Sequence, residues 1–344
     1  MSPSFLYSSF AASALFLAAC SSSPSDSPAA ACGNRQVLQV GFYAFFAPVS
    51  YSADPTPGTA GFDEHLGYEA DLLTALEAMD GAGLSFARRG IADWSDIWLQ
   101  AAGPNYDLVG GGITILDSRT RNADGDQVVT FSSGHIAFRQ SLLVRAADAE
   151  RFASHSDLTS EDRVGALIGT TGEFRLLELT GLVDANGVLA TGTRIETPEG
   201  EILADGTAAH TITAASASDH LAGRTRLVPP TANMPQVIYL NGQEGQEASE
   251  LDLLNALRAG TIDAIARGEI GNRDASVSSD GEFVVAALDA ATELGGFALA
   301  VEDADLAACI DDKINYLTDG QRIGYGEWRA DPAIFAERAQ EWNP

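Results

Sequence analysis

The chain has 344 residues, 45% of them hydrophobic, enough to bury a sizeable core in each of two lobes of roughly 100 to 150 residues. Its 48 acidic and 20 basic residues leave a formal net charge of -28, which repels phosphate backbones and anionic head groups and argues against nucleic acid or a polybasic membrane grip as partners. Lys313 is the only lysine, so Schiff-base chemistry has almost nothing to work with.

In chain order, the run from Phe10 to Ala19 is apolar but too short to span a bilayer. It ends in Leu17-Ala18-Ala19-Cys20, which resembles a bacterial lipobox, although no Lys or Arg precedes the run. Residues 1–19 therefore read as a signal peptide, and Cys20 as the lipidated first residue of the mature protein. Residues 20–35, with the stretch Ser21 to Ala31, read as a tether. The alternative is a buried helix ending in a core cysteine. Export places the protein in the periplasm or cell envelope, with the membrane reached through the lipid only. Cys32 and Cys309 then remain as a pair in an oxidising compartment, and one disulfide between them is expected, two unrelated core thiols being the alternative.

From Gln36 the chain alternates strand-like and helix-like stretches. Val37 to Tyr43 reads as a strand, Tyr68 to Met79 as an amphipathic helix, Leu84 to Arg88 as a strand, Trp94 to Ala102 as a helix, and Asp107 to Ile113 as a strand. His135 to Arg145 reads as a crossover. A second set follows: strand Val164 to Gly169, helix Glu173 to Leu179, strand Gln236 to Leu240, helix Glu250 to Ala259, and strand Ile262 to Ala266. Such order predicts an α/β fold of two lobes, each a mostly parallel sheet flanked by helices. Lobe 1 takes residues 36–140, lobe 2 residues 141–294, and the return crossover and C-terminal helices residues 295–344. Residues 181–235 form an insertion in lobe 2, with hairpin-like pieces at Thr193 to Ile202 and Gly206 to Thr213. The segment Leu306 to Trp342 is helical in pattern, broken near Gly324 and at Pro332, and should pack on lobe 1.

Enzyme signatures fall short. The five histidines show no i, i+4 ligand pair and no cysteine partners at zinc spacing, and neither a phosphate loop nor a Gly-x-Ser-x-Gly elbow is present. No metal or cofactor is expected. Gly110 to Arg119 places three glycines, Thr114 and Arg119 at a strand's C-terminal end, where ligands gather in open α/β sheets. The Arg119 guanidinium suits bidentate capture of a carboxylate. Gly169 to Glu173 opens a helix whose free N–H groups and hydroxyls make an anion cradle.

In their order and spacing these features resemble the family 3 extracellular solute-binding proteins, the polar amino-acid receptors of ABC importers, over roughly Val37 to Trp342. The motifs that carry the likeness are Val40-Gly41 with aromatics before Pro48, Gly67 to Leu72 (GYEADL), Trp94, Tyr106 to Val109, Thr114 with Arg119, Phe131-Ser132, Gly169 to Thr171, and Leu257 to Ala264. The resemblance implies a two-lobed type II periplasmic-binding fold and a monomer that serves an ABC permease. Its ligand would be a small carboxylate-bearing solute, an amino acid or related organic acid, held by hinge closure without a bond made or broken. It also implies that Phe46 stacks on the ligand, Trp94 covers its side chain, and Arg119, Thr114 and Thr171 hold the carboxylate. Tyr43, Gly112, Thr170, Glu173, Arg267 and Glu269 complete the expected site, with core packing as the alternative for at least two of the aromatics. Where the family usually presents a carboxylate for the ligand's ammonium, this chain has Gly268. Either Glu269 takes over, or the ligand is no ordinary α-amino acid and Arg267 meets a second anionic group. A second resemblance, to periplasmic cyclohexadienyl dehydratases, would make Glu173 a general acid and Arg119 with Arg175 or Arg267 the clamps of a dicarboxylate.

Cys20→Ser is expected to move the protein from the membrane to the soluble fraction. A variant that stays membrane-bound and uncleaved would refute the anchor.

Overall fold

The computed structural model of the protein describes residue 32, residues 37–242 and residues 247–343; the expected signal peptide, Cys20 and the expected tether apart from Cys32 lie outside these. The described residues form two lobes, each on its own sheet. In lobe 1 the strand order is Phe86–Ile91, Leu38–Tyr43, Leu108–Gly110, Ala298–Ala300, Val129–Phe131. The first three run parallel, and Ala298–Ala300, returning from the other lobe, pairs antiparallel with its neighbours on both sides. Leu38, Val40 and Phe42 are fully buried, as a central strand covered on both faces requires.

Helix α1 (Tyr68–Ala78) crosses one face of this sheet. Glu69 and Asp71 in its first turn complement the positive end of the helix dipole, and Tyr68, Leu72, Leu73 and Leu76 go into the core. The stretch expected to be a helix after Trp94 is a 3-10 turn, Ile97–Ala102, which buries Ile97 and Trp98.

Lobe 2 is built on eight strands in the order Gly200–Leu203, Arg194–Thr197, Arg226–Val228, Gln236–Ile238, Arg163–Gly165, Ala264–Gly268, Gln140–Arg145, Phe283–Leu288. Its parallel centre is the trio 236–238, 163–165 and 264–268. Antiparallel strands extend it on both sides, the crossover strand and its neighbour on one edge and the insertion on the other. The expected hairpin at Thr193 to Ile202 is present as Arg194–Thr197 paired with Gly200–Leu203. Gly206 to Thr213 is not a hairpin: it makes two isolated bridges to residues outside it, Thr211 with Val188 and Ile212 with Ala217, and Ile212 is buried in the lobe 2 core.

Three longer helices flank this sheet: α2 (Thr171–Leu179), α3 (Glu250–Ala259) and α4 (Glu269–Ser278). The start of α3 is fixed by reciprocal Ser249 and Asp252 bonds, and its end by Gly260 in the left-handed region. The C-terminal helices α5 (Ala304–Leu317), α6 (Tyr325–Ala330) and α7 (Ile334–Glu341) return to lobe 1. The Trp328 indole N–H donates to the Asp71 carboxylate at 2.8 Å, and Phe335 packs edge-on to Tyr68. Two extended segments join the lobes, Ile136–Phe138 and Glu293–Gly295, paired antiparallel as a ribbon.

Cys32 and Cys309 are bonded, with a sequence separation of 277 residues. The Cys32 N–H also donates to the Ala82 carbonyl. Closing so long a loop restricts the unfolded chain most, so Cys309→Ala should lower unfolding free energy by about 3 to 5 kcal/mol. Denaturant midpoints of parent and variant in oxidising buffer measure this, and equal midpoints would show that the cross-link carries no stability.

Candidate functional site

The cleft between the lobes begins at the end of strand Leu108–Gly110. The Glu69 carboxylate, fully buried, accepts from the Gly111 N–H at 2.7 Å and the Gly112 N–H at 2.9 Å, and meets His135 Nε2 at 3.0 Å. The backbone turn this holds needs glycine. Gly112 has φ +67°, and a Cβ there would lie 2.6 Å from the Phe46 ring. Thr114 follows at the cleft floor.

Between the lobes lies an open-mouthed cavity. Lobe 1 lines it with Tyr43, Phe46, Trp94, Gly112 and Thr114; Phe138 of the ribbon and Gln140 lie between the lobes; lobe 2 contributes Leu167, Thr170, Thr171, Gly172, Glu250, Ala266, Arg267 and Gly268. Tyr43 and Trp94 meet edge to face at 5.1 Å between centroids, a geometry aromatic pairs favour. The Trp94 indole N–H donates to the Gly169 carbonyl across the cleft at 3.0 Å. The Thr114 and Thr171 hydroxyls lie 3.3 Å apart. Below them the Gln140 amide nitrogen donates to Thr171 Oγ1 at 2.9 Å and to Glu293 Oε2 at 3.0 Å. The carboxylate fixes which end of the amide is nitrogen, and Gln140 Oε1 is left buried without a protein partner.

Eight of the eleven residues expected from the sequence therefore line this one cavity: Tyr43, Phe46, Trp94, Gly112, Thr114, Thr170, Thr171 and Arg267. Three lie elsewhere. Arg119 is fully buried behind Trp94, its guanidinium over the Trp98 ring at 4.3 Å. It donates from Nε and Nη2 to the Ala214 carbonyl at 3.1 and 2.9 Å, and to the carbonyls of Thr114 and Gly169. Burial pushes its pKa down to about 9, still charged at neutral pH. Glu173 turns into lobe 2, where its carboxylate accepts from Arg224 of the insertion and from the Gly169 N–H at 2.7 Å. Glu269 opens α4 and pairs with Arg139 and Arg273.

The carboxylate that does line the cavity is Glu250, 2.7 Å from Arg267 Nη1. Its helix was legible; its direction was not, since nothing in the spacing of α3 says that its first residue meets the neighbouring strand end. Gln140 and Glu293 were missed because each stands in a connecting strand with no motif around it. Among the described residues no cluster of His, Cys, Asp or Glu could hold a metal, and no helix is long and apolar enough to cross a membrane.

Burial pushes the Glu250 carboxyl from its ordinary 4.5 up to about 7, against the pull of Arg267. The folded protein thus holds this proton more tightly than the unfolded chain. The resulting penalty is absent below about pH 4.5 and complete above about pH 7, so stability should fall between them. Glu250→Gln should flatten that part of the curve. Urea midpoints across pH 4 to 8 provide the check, and an equally steep fall in the variant would assign the dependence to other groups.

No protein-family model matches the chain. A probable histidine-binding protein of Neisseria gonorrhoeae is 28% identical over 177 residues, 52% of this chain and 59% of that protein, so the chain spans less than two thirds of the curated relative it matches. Among solved structures, an amino acid ABC transporter substrate-binding protein of Streptococcus pneumoniae bound to L-arginine superimposes with a TM-score of 0.54 at 17% identity, over 89% of this chain and 94% of that one. The holo form of ArgBP from T. maritima gives 0.52 at 18%, over 82% and 91%. An ancestral arginine-binding protein bound to glutamine gives 0.53 at 15%, over 90% and 99%. At such identities the structures show the fold. The chain has the two-lobed fold of the amino acid-binding proteins to which it is similar.

Proposed function

We propose that this protein is the extracytoplasmic binding component of an ABC importer for an amino acid or related small solute, tethered by lipid at Cys20. The observation that carries the reading is the interlobe cavity, whose walls come from both lobes and whose ribbon Ile136–Phe138 with Glu293–Gly295 is the natural hinge. The names of the similar proteins point the same way, since they bind histidine, arginine or glutamine. Binding uses the aromatic walls Tyr43, Phe46 and Trp94, the hydroxyls of Thr114, Thr170 and Thr171, and the Arg267 and Glu250 pair at the far end. A mostly apolar enclosure with a few placed polar groups suits a small organic ligand.

The dehydratase reading fares worse. A general acid must reach the leaving group, and the Glu173 carboxylate is enclosed by Arg224 and the Gly169 N–H, away from the cavity wall.

The test is a thermal-shift screen of amino acids and small organic acids followed by calorimetry. A true ligand at 100 times its dissociation constant should stabilise the protein by about 2.7 kcal/mol. Trp94→Ala, which removes both a wall and a cross-cleft bond, should weaken it at least tenfold, about 1.4 kcal/mol. Absence of any hit across the screen would sink the reading, and conversion of prephenate to an aromatic product would replace it with the enzyme.

A further inference from the structure

The insertion does more than widen the lobe 2 sheet. Its residues Leu189, Ile195, Ala204, Ile212, Leu221 and Leu227 belong to the lobe 2 core. Two residues past Ile212, however, the chain is on the opposite lobe: Ala214 is buried against Arg119, and Ala215 packs on the lobe 1 cluster that contains Trp94 and Trp98. A tight turn produces this reach. The Thr213 hydroxyl accepts from the Ala215 and Ser216 N–H groups at 3.2 and 3.0 Å, while the Thr213 N–H donates to the Ser216 carbonyl at 2.8 Å. The Ala214 carbonyl, at the tip, points into the fork of the Arg119 guanidinium, and Nε and Nη2 share it.

We infer that residues 212–217 are a built-in strap that fastens lobe 2 to lobe 1 whether or not a ligand is bound, with the Ala214 carbonyl as its hook and Arg119 as its eye. Three features support it. The hook is part of the chain itself, so the bond needs no ligand and has a high local concentration. The eye is charged, and hydrogen bonds from an ionised donor are stronger than neutral ones. The strap's root is also firm: Arg224, on the same insertion, pairs with the buried Glu173 of α2, so the insertion moves with lobe 2 as one body. The Arg119 fork is consequently a structural fastener and not a free subsite on the cavity wall.

The strap predicts a cleft that stays mostly shut in the ligand-free protein and opens when the strap is cut. Small-angle scattering of the full ligand-free protein reads this directly. Arg119→Met, which removes the eye, and Thr213→Val, which loosens the hook while leaving Arg119 untouched, should each shift the radius of gyration upward relative to the parent. Thr213→Val should also speed amide exchange at Ala215 and Ser216. Far-UV circular dichroism must match the parent, and Thr213→Val decides alone if Arg119→Met fails to fold. Scattering curves that superimpose for parent and Thr213→Val, with exchange at Ala215 and Ser216 faster in the variant, would overturn the strap. Unchanged exchange at those two amides would overturn it equally, because the hook would then not depend on its turn. These measurements use no ligand, so they stand apart from the binding assays: failure of every amino-acid probe would refute the proposed transport role and leave the strap untouched.

Discussion

The buried carboxylate of Glu69 is the constraint on which the site's geometry depends. One side chain on α1 accepts from the N–H groups of Gly111 and Gly112 and meets the ring of His135, while the adjacent Tyr68 hydroxyl donates to the His135 carbonyl. The strand exit that carries Gly112 and Thr114 and the chain segment that enters the hinge ribbon are thereby tied to a single helix. A polar group so deeply buried is tolerable only when its lone pairs are filled, and here the partners are the very backbone atoms that must be held still for the cleft floor to keep its shape.

The same rule governs the other buried charges. Glu173 and Arg224 are both nearly inaccessible and satisfy each other, and their pairing joins the insertion to the helix that opens at the cleft. Asp289 accepts from Arg175, and Asp263 from Arg145 and Arg163, which ties strand ends together on the side of lobe 2. In a chain with more than twice as many acids as bases, arginine is the scarce partner, and many arginines are spent on fastening elements. Arg119 belongs to this pattern, although its acceptors are carbonyls and not acids.

Local signals made much of the fold legible. The α1 and α3 helices stand where periodicity and terminal residues place them, since Ser249 with Asp252 and Gly260 fix α3 without help from distant residues. The breaks at Gly324 and Pro332 likewise separate α5, α6 and α7. By contrast α4 escaped notice because only Ile270, Gly271 and Asn272 of its ten residues are buried, too weak a stripe to read. In the cleft, residues that line the wall because of their own strand end, such as Thr114 and Thr171, were readable from their motifs. What Arg119 donates to was not, because its acceptor lies 95 residues further on and reaches it only through the tertiary path of an insertion with no sequence signature. Glu250 illustrates the same limit from the other side, a visible helix whose first side chain acquires meaning from the neighbouring Arg267.

The bond between Cys32 and Cys309 has a mechanical consequence. A pull applied to the chain ahead of Cys32 is transmitted through the sulfurs to α5, and through the Cys32 N–H to the Ala82 loop, before it reaches the strand Leu38–Tyr43. Tension therefore enters lobe 1 at its outer helical layer and leaves the central strand and the cleft unloaded. The load is taken by lobe 1 alone, so drag on a protein held from that end would not pry the cleft apart.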